Sequence, residues 1–387
     1  MNILICMDAF KGSMSSMEAG NACAVGIRRV FPEANIIIRP LADGGEGTTE
    51  ALVVGLHGEY RTVKVSDPLG RMISARYGIL PDRTAVIEMA SASGLPLLAN
   101  SERNPMKTTT FGFGEMILDA VKTGCRNFIL GIGGSATNDG GVGCLQALGF
   151  GFLDADGKPV PFGAEGVAKI AAISENYVLS ELRDCTFHVA CDVKNPLCGE
   201  SGCSAVFAPQ KGADAVMITL MDAALERFAE LTKNYHPDAD AVFPGAGAAG
   251  GLGFGLMSYL NASLEPGAEL ILRETNISET IKSVDYVITG EGCLDGQTAM
   301  GKAPIGIARL AKSYGKPVIA FSGAVRAGAE QCNQAGIDAY FPILRRIESL
   351  EDAMKPDHAA QNLADTAEQV FRLIMAVTQQ NQSYPLR

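Results

Sequence analysis

The sequence predicts an α/β protein of two domains, and three observations support this prediction. The chain has 387 residues, more than the roughly 250 to 300 at which a single hydrophobic core usually stops growing. Short apolar runs alternate with helical patterns, which is typical of a parallel sheet. Between about residues 59 and 110 the pattern changes to short alternating runs joined by PLGR and LPDR turns, which is typical of antiparallel hairpins.

The expected elements follow in chain order. The runs that we expect to form the parallel sheet are NILICMD (2–8), ANIIIRPL (34–41), RNFILGIGG (126–134), DYVITGEG (285–292), KPVIAFSG (316–323) and DAYFPIL (338–344). Farther along the central part of the chain we expect two more short strands, FHVACD and AVFAP, and a helix from Asp214 to Tyr235.

These patterns also suggest the domain boundaries. The first domain is assigned to residues 1–58 plus 280–387, with 112–150 as an optional part of it. Residues 59–279 are assigned to a second, inserted α/β domain. Ligands of open parallel sheets bind beyond the carboxyl ends of the strands, so the loops that follow the apolar runs are the places to look for function.

Composition limits the class of protein and its partners. A formal net charge of −11 without a basic run argues against a nucleic-acid partner or an anionic membrane surface. The N-terminus MNILICMDAF reads as a strand rather than a leader peptide, so we expect a cytoplasmic protein. Ten cysteines without a C-x-x-C pair, and only four histidines, argue against a zinc or iron–sulfur site.

Two glycine-rich loops are candidates for binding an anion. In ADGGEGTTEAL (42–52), Gly44 and Gly45 lie beside Asp43, and we interpret the loop as a close backbone approach to a ligand or as a plain strand-to-helix turn. In GIGGSATNDGGVG (131–143), the amides of Gly133, Gly134 and Ser135 suit a phosphate nest.

The second of these loops also contains an Asn-Asp pair. Asn138 and Asp139 suit a metal or hydroxyl ligand, although Asn-Asp before Gly-Gly is also ordinary turn chemistry.

The stretch TGEGCLDGQTAMGKAP (289–304) has the G-x-x-x-x-G-K spacing of a nucleotide P-loop but is not one. Ala303 stands where a P-loop has a hydroxyl residue, and the strand pattern VDYVITG ends several residues too early. The loop nevertheless has the charged and polar side chains needed to hold a metal–phosphate or a hydroxy acid. These are Glu291, Asp295, Gln297, Thr298 and Lys302.

Three further features have competing interpretations. GAGAAG (245–250), with Glu269 after it, matches a dinucleotide fingerprint, but the run before it is a poor strand, so glycine packing is the preferred interpretation.

Asp192, at the end of an apolar run, suits a general base, a metal carboxylate or a helix cap. Lys211, in the turn PQKGA, is expected to face solvent.

The ordered set of motifs closely resembles the bacterial glycerate kinase family. The resemblance rests on MDAFKGS, LADGGEGT, VIEMASASGL, NPMKTTTFGFGE, GIGGSATNDGG, CDVKNPLCG, FAPQKGA, PGAGAAGGLG and TGEGCLDGQTAMGKAP, over nearly the whole chain. It implies an ATP- and Mg²⁺-dependent kinase that converts D-glycerate to 2-phosphoglycerate, with 3-phosphoglycerate as the second choice of product. It also implies a flavodoxin-like or Rossmann-like domain and a second α/β domain, with the active-site cleft between them. Partners other than these small molecules are not implied, and the chain is expected to be a monomer or homodimer.

The chain departs from the family pattern at a few positions. The family usually begins PDSFKES, where this chain has Met7, Ala9 and Gly12, and its GEGR-type loop has Cys293 in place of Arg. A kinase for a related hydroxy acid and a non-catalytic ligand sensor therefore remain as alternatives, and an NAD-dependent oxidoreductase that uses GAGAAG is a third.

Phosphoryl transfer needs charge neutralisation and a carboxylate near the accepting hydroxyl, and the motifs contain both. We expect Lys11 and Lys302 to offset charge on ATP and glycerate. Asp192 is the preferred base, with Asp8 and Asp295 as rivals. The carboxylates expected to hold Mg²⁺ are Asp43 and Glu291.

Overall fold

The computed structural model describes residues 1–42, 44–45 and 47–383. The strands are β1 Asn2–Met7, β2 Asn35–Ile38, β3 Glu59–Ser66, β4 Met72–Ile79, β5 Thr84–Glu88, β6 Asn127–Gly131, β7 Gly151–Leu153, β8 Ala172–Ser174, β9 Thr186–Ala190, β10 Ser263–Glu265, β11 Tyr286–Leu294, β12 Val318–Val325 and β13 Ala339–Pro342. The helices are α1 Ser16–Arg28, α2 Thr48–Gly55, α3 Ala90–Ser93, α4 Phe111–Lys122, α5 Val142–Ala147, α6 Ala164–Val167, α7 Cys203–Phe207, α8 Ala215–Tyr235, α9 Ala248–Leu260, α10 Gly267–Glu274, α11 Ile277–Lys282, α12 Gly296–Ala299, α13 Ala303–Ser313, α14 Gln331–Gln334, α15 Leu350–Ala353 and α16 Pro356–Ser383.

The chain forms two compact units. Unit 1 consists of Met1–Asp43 and Ile271–Arg387, and unit 2 is Gly44–Leu270. These boundaries differ from the predicted ones, because α2 packs against β4 and β5 and so belongs to unit 2. The optional segment 112–150 also lies in unit 2, because β6 pairs with β5 and β9.

Unit 1 is built on a five-stranded parallel sheet with the order β2-β1-β11-β12-β13. Numbered within the unit this is the 2-1-3-4-5 order of flavodoxin-like folds. The apolar run of β1 is buried from Ile3 to Met7, as expected for a central parallel strand. Helices α1 and α16 pack against each other, and the core contains Ile5, Cys23, Leu363 and Phe371. The predicted α/β class and parallel sheet are confirmed.

Unit 2 is built on a mixed six-stranded sheet with the order β10-β9-β6-β5-β4-β3. Strands β3, β4 and β5 run antiparallel to their neighbours in this group, and β5, β6, β9 and β10 are parallel. The predicted hairpin turns are present at PLGR and LPDR, where Gly70 N–H donates to Asp67 and Arg83 N–H donates to Leu80. Large aromatic side chains fill the core of this unit, including Tyr77, Phe128 and Phe187.

The helix predicted from Asp214 is confirmed, but one predicted strand is wrong. Asp214 accepts a hydrogen bond from Met217 N–H and caps α8. The run AVFAP lies instead in α7 and the turn after it, with Val206 N–H donating to the Gly202 carbonyl. A short apolar run has no periodicity that separates a strand from a buried helix.

The strand of the P-loop-like stretch is also longer than predicted. The sequence pattern predicts an end near Gly290, but β11 continues through the GEGC segment to Leu294 because it pairs with β12 as far as Val325.

Within the described ranges, no helix combines the length and the apolar character needed to cross a membrane.

Candidate active site

A cavity of about 450 Å³ in unit 1 lies where the strand order of the sheet reverses. The pairing of β1 with β11 ends at Met7 and Gly290, so Asp8 lies beside Glu291 at the point where β1 ends and β11 continues paired with β12 alone. This is the position at which doubly wound sheets bind ligands. The charged side chains that line the cavity are Asp8, Lys11, Glu291, Asp295, Lys302 and Arg326.

Glu291 is held by its neighbours at this edge. Its side chain is buried, with the residue 7% exposed. Thr298 Oγ1 donates a hydrogen bond of 2.6 Å to Oε1, and Lys302 Nζ lies 3.7 Å from Oε2. The carboxylate is therefore fixed in position and paired with a positive charge.

Asp295 has a structural role at the start of α12. Its Oδ1 accepts hydrogen bonds from the N–H groups of Gln297 at 2.9 Å and Thr298 at 3.1 Å. Burial alone would raise the pKa of Asp295, but these N–H groups and the Lys302 ammonium hold the pKa below its usual range. A carboxylate with a lowered pKa is a weaker base.

The P-loop interpretation is ruled out by the local backbone. The residues after Gly296 form the helical turn α12, and α13 begins at Ala303 with Pro304 in its first turn. The side chain of Gln297 is exposed, so its described contribution is the N–H that binds Asp295.

Arg326 is a lining residue that the sequence interpretation missed. It follows β12, and its N–H donates to the Leu294 carbonyl at 2.9 Å, which fixes it beside the end of β11. The signal is present in the sequence, because KPVIAFSG is a predicted parallel strand whose carboxyl end has to lie at the same edge. Lys11, which was predicted, is exposed beside the cavity, and Cys293 lines it.

In unit 2, two of the predicted glycine loops lie against each other. A Cβ on Gly44 would come within 2.2 Å of Ala190 Cβ, and one on Gly133 within 3.2 Å of Gly45 Cα. The turn of Gly44 and Gly45 therefore lies close to the carboxyl ends of β6 and β9, where a larger residue would not fit. Asp43, predicted as a metal ligand, lies outside the described residues.

The loop after β6 presents free backbone donors. Gly133 and Gly134 are exposed, and Ser135 follows them. Within the described residues, none of these three N–H groups has a hydrogen-bond acceptor. Gly134 has φ +74°, a left-handed conformation that favours glycine. Successive amides in such a turn form a concave site for an anion.

Asp192 lies at the end of the neighbouring strand β9. Its side chain is exposed, and Oδ1 accepts a hydrogen bond of 2.9 Å from Gly267 N–H at the start of α10. The register pairs Gly131 with Ala190, so Asp192 follows β9 at the same edge from which the Gly133 loop leaves β6. The carboxylate thus caps a helix and is accessible to solvent.

Asn138 and Asp139, predicted to bind ligand, are buried within the loop. Asp139 is 1% exposed, and its oxygens accept hydrogen bonds from Thr110, Gly141 and Gly143. Asn138 Nδ2 donates to Ser204 Oγ at 2.9 Å. These contacts shape the loop from within.

The comparisons with known proteins agree with this architecture. Residues 3–375 match the model of the glycerate kinase family. The chain belongs to the glycerate kinase family. The resemblance deduced from its motifs is thereby confirmed.

Relatives that are named glycerate kinase match this chain over most of their own length. A glycerate kinase of Halalkalibacterium halodurans is 47% identical, with 94% of this chain and 97% of the relative covered. The glycerate 2-kinase of Escherichia coli K12 is 44% identical, with 95% and 98% covered. A crystal structure from Salmonella typhimurium LT2, assigned to glycerate kinase 2, superimposes with a TM-score of 0.89 at 43% identity, with 98% and 99% covered.

In this kinase the GAGAAG run is a packing element. Gly140 N–H donates to the Gly250 carbonyl at 3.0 Å, and a Cβ on Gly250 would lie 2.1 Å from the Thr137 carbonyl oxygen. Gly250 has φ +69° inside α9, and the run does not follow a strand. The glycines therefore allow the loop of residues 137–140 to pack closely against α9. A dinucleotide-binding glycine run follows a strand, and this run does not, so the structure does not support the dinucleotide interpretation.

The expectation that Lys211 faces solvent is wrong. The residue is 1% exposed, and Nζ donates hydrogen bonds of 2.8 Å to Ser135 Oγ and 2.6 Å to the Thr137 carbonyl. Burial lowers the pKa of Lys211 to about 8, while Cys203 and Asp139 act in the opposite direction. Lys211 therefore ties α7 and its following turn to the loop that carries the free amides.

This buried lysine predicts a pH dependence of stability. Its pKa is about 8 in the folded chain, against 10.5 for an ordinary lysine, so between these values the unfolded chain binds more protons. Lys211 should therefore destabilise the folded chain below pH 8, by roughly 3 kcal/mol, and this cost should disappear as the pH rises toward 10.5.

Urea unfolding at several pH values tests this prediction. From pH 8 to 9.5 the free energy of unfolding of the wild type should rise more steeply than that of Lys211→Met. The matched control is Lys194→Met, which removes an exposed lysine of the same unit and should keep the wild-type slope. Equal slopes in all three proteins would contradict a lowered pKa at Lys211.

Proposed function

We propose that this enzyme transfers the γ-phosphoryl group of ATP to the 2-hydroxyl of D-glycerate, giving 2-phosphoglycerate. The observation that carries the proposal is the cavity at the β1/β11 reversal, where Asp8 and Glu291 adjoin Lys11 and Lys302. Phosphoryl transfer requires this combination, because it needs positioned carboxylates and cations more than covalent chemistry. The relatives named glycerate kinase support the same substrate.

The cations and free amides would hold the anionic reactants. Lys11 and Lys302 offset charge on the ATP phosphates and the glycerate carboxylate. The N–H groups of Gly133, Gly134 and Ser135 cradle a phosphate group, which the exposure of the two glycines and the lack of described acceptors for all three N–H groups support.

Asp192 is the preferred base for the substrate hydroxyl. It is exposed, and one of its oxygens is oriented by Gly267 N–H. Asp295 is a weaker rival because two N–H groups occupy its Oδ1 and its pKa is lowered. Asp8 remains a rival at the other sheet, although its position beside Glu291 better suits a role with the metal.

The acidic residues of unit 1 fit a magnesium ion. Mg²⁺ is usually bound through one or two carboxylates together with waters and substrate phosphates. Glu291 and Asp8 supply such oxygens side by side, just beyond the last paired residues of β1 and β11, and Asp43 is a further proposed ligand. When bound, the ion would neutralise charge on the phosphates.

The test is ADP release from MgATP and D-glycerate, with the product identified by enolase, with and without phosphoglycerate mutase. Product that enolase alone detects is expected, together with ADP release, measured directly, that EDTA abolishes. A signal that needs the mutase would establish 3-phosphoglycerate instead. The absence of glycerate-dependent ADP release would refute the proposed substrate. Because Cys293 replaces an Arg of the family pattern, related hydroxy acids would then be tested as substrates.

A further inference from the structure

Two chemically different groups of side chains line the unit 1 cavity. The charged group has been described above, and its part of the lining is called the charged end. The apolar group, called the apolar end, consists of Phe10, Ile343, Leu344, Leu350 and Met354. Glycerate is a small hydroxy acid with hardly any apolar surface, so it leaves both this wall and most of the 450 Å³ unused.

Two polar groups among these apolar side chains have no partner in the described parts of the chain. Ser13 Oγ and Asn362 Nδ2 are both buried, make no hydrogen bond, and belong to residues that line the cavity. Asn362 is only 7% exposed. A buried polar group without a partner is costly, and a ligand that binds it removes that cost.

The apolar wall itself is incompletely covered. Leu344 is 43% exposed and Leu350 is 75% exposed, although both border the cavity. A flat heterocycle would cover these two leucines, and the few polar groups would orient it. Small-molecule sites usually combine an apolar lining with a few polar groups in this way.

At the charged end, Arg326 has an exposed guanidinium that forms no ion pair within the described residues. Cys293, which lines the same cavity, brings no charge to it. A guanidinium binds phosphate through two parallel hydrogen bonds, which an ammonium cannot do.

We propose that this cavity is the nucleotide subsite, with adenine at the apolar end against Asn362 and Ser13 and the phosphates toward Arg326. The inference rests on the proposed kinase function, for which it names the part of the chain that binds ATP. Adenine is favoured because an Asn amide pairs with its N6 donor and N7 acceptor together. Guanine presents two acceptors at the same positions and would leave the amide oxygen unpaired.

The experiment is calorimetric titration of the full chain with ADP, adenosine and GDP. Asn362→Leu should weaken both ADP and adenosine about tenfold, the effect of losing a directed hydrogen bond. Arg326→Leu should weaken ADP by about tenfold or more and leave adenosine unchanged. In kinetic assays both variants should raise KM for ATP and leave KM for D-glycerate unaltered.

Gln361→Leu is the matched control, because it changes an exposed amide one position away on the same helix. It should bind ADP like the wild type. Ser13→Ala provides a second test of the apolar end if Asn362→Leu does not fold.

The outcomes separate this proposal from the proposed function. Unchanged ADP affinity in the variants, or no ADP binding by the wild type, overturns the nucleotide subsite. GDP binding as tight as ADP overturns the adenine assignment. Normal ADP binding without glycerate-dependent turnover would instead refute the kinase function and leave the subsite standing.

Discussion

Replacing Asp192 by Asn is expected to lower kcat by about 10²- to 10⁴-fold with little change in KM for either substrate. Asn has nearly the same shape and can still accept the hydrogen bond from Gly267 N–H, so the start of α10 should be preserved. It cannot take a proton from the substrate hydroxyl, so the loss should appear in turnover rather than in binding. The measurement is the rate of ADP release at saturating MgATP and D-glycerate.

Asp184→Asn is the matched control for this experiment. Asp184 is an exposed aspartate that precedes β9, whereas Asp192 follows the same strand at its carboxyl end. The control makes the same change in charge and should keep wild-type kcat. A normal kcat in Asp192→Asn would remove this residue from the role of base, and the same assay on Asp8→Asn would then test its rival.

Sequence patterns predicted much of the fold because many of its elements are determined by interactions between residues close together in the sequence. The buried run of β1, the helix that follows Asp214 and the turn at Gly70 each depend on a few neighbouring residues. The helix α7 was missed for the same reason, because its short apolar run carries no period.

The boundaries of the units required information that is not local. RNFILGIGG and NILICMD look alike as apolar runs, yet β6 pairs with β5 and β9 while β1 pairs with β2 and β11. Which strands pair is decided by packing between distant parts of the chain, so the pattern of a single strand does not contain it.

In the candidate site, too, the residues that follow from a local pattern were predicted, and those that depend on distant contacts were missed. Asp8 and Glu291 were predicted because a simple rule places ligands near the carboxyl ends of parallel strands, although β11 continues three residues past Glu291. Lys211 was assigned to solvent because charged residues are rarely buried without a partner, and its partners are Ser135 and Thr137, far away in the sequence. Asn362 was missed because a lone amide in a long helix normally faces water.

A second large effect is expected for the stability of unit 2. Asp139→Ala should lower the free energy of unfolding by about 3 kcal/mol, since several buried donors lose their acceptor at a cost of about 1 kcal/mol or more each. Those donors include the N–H of Thr110 at 2.8 Å and the N–H of Gly141 at 3.2 Å. Burial raises the pKa of Asp139 while these N–H groups lower it, so removing the carboxylate also removes a desolvation cost and limits the net loss.

Hydrogen exchange together with urea unfolding would measure this effect. The amides of Thr110, Gly141 and Gly143 should exchange faster in Asp139→Ala, and the urea midpoint should fall. Asp139→Asn should be intermediate, because one amide oxygen can still accept while the NH₂ group faces donors. Asp238→Ala, which removes an exposed carboxylate of the same unit, should match the wild type. Wild-type exchange and midpoint in Asp139→Ala would mean that water replaces the carboxylate as acceptor, and the loop of residues 133–143 would then owe its shape to Lys211 and the glycine packing.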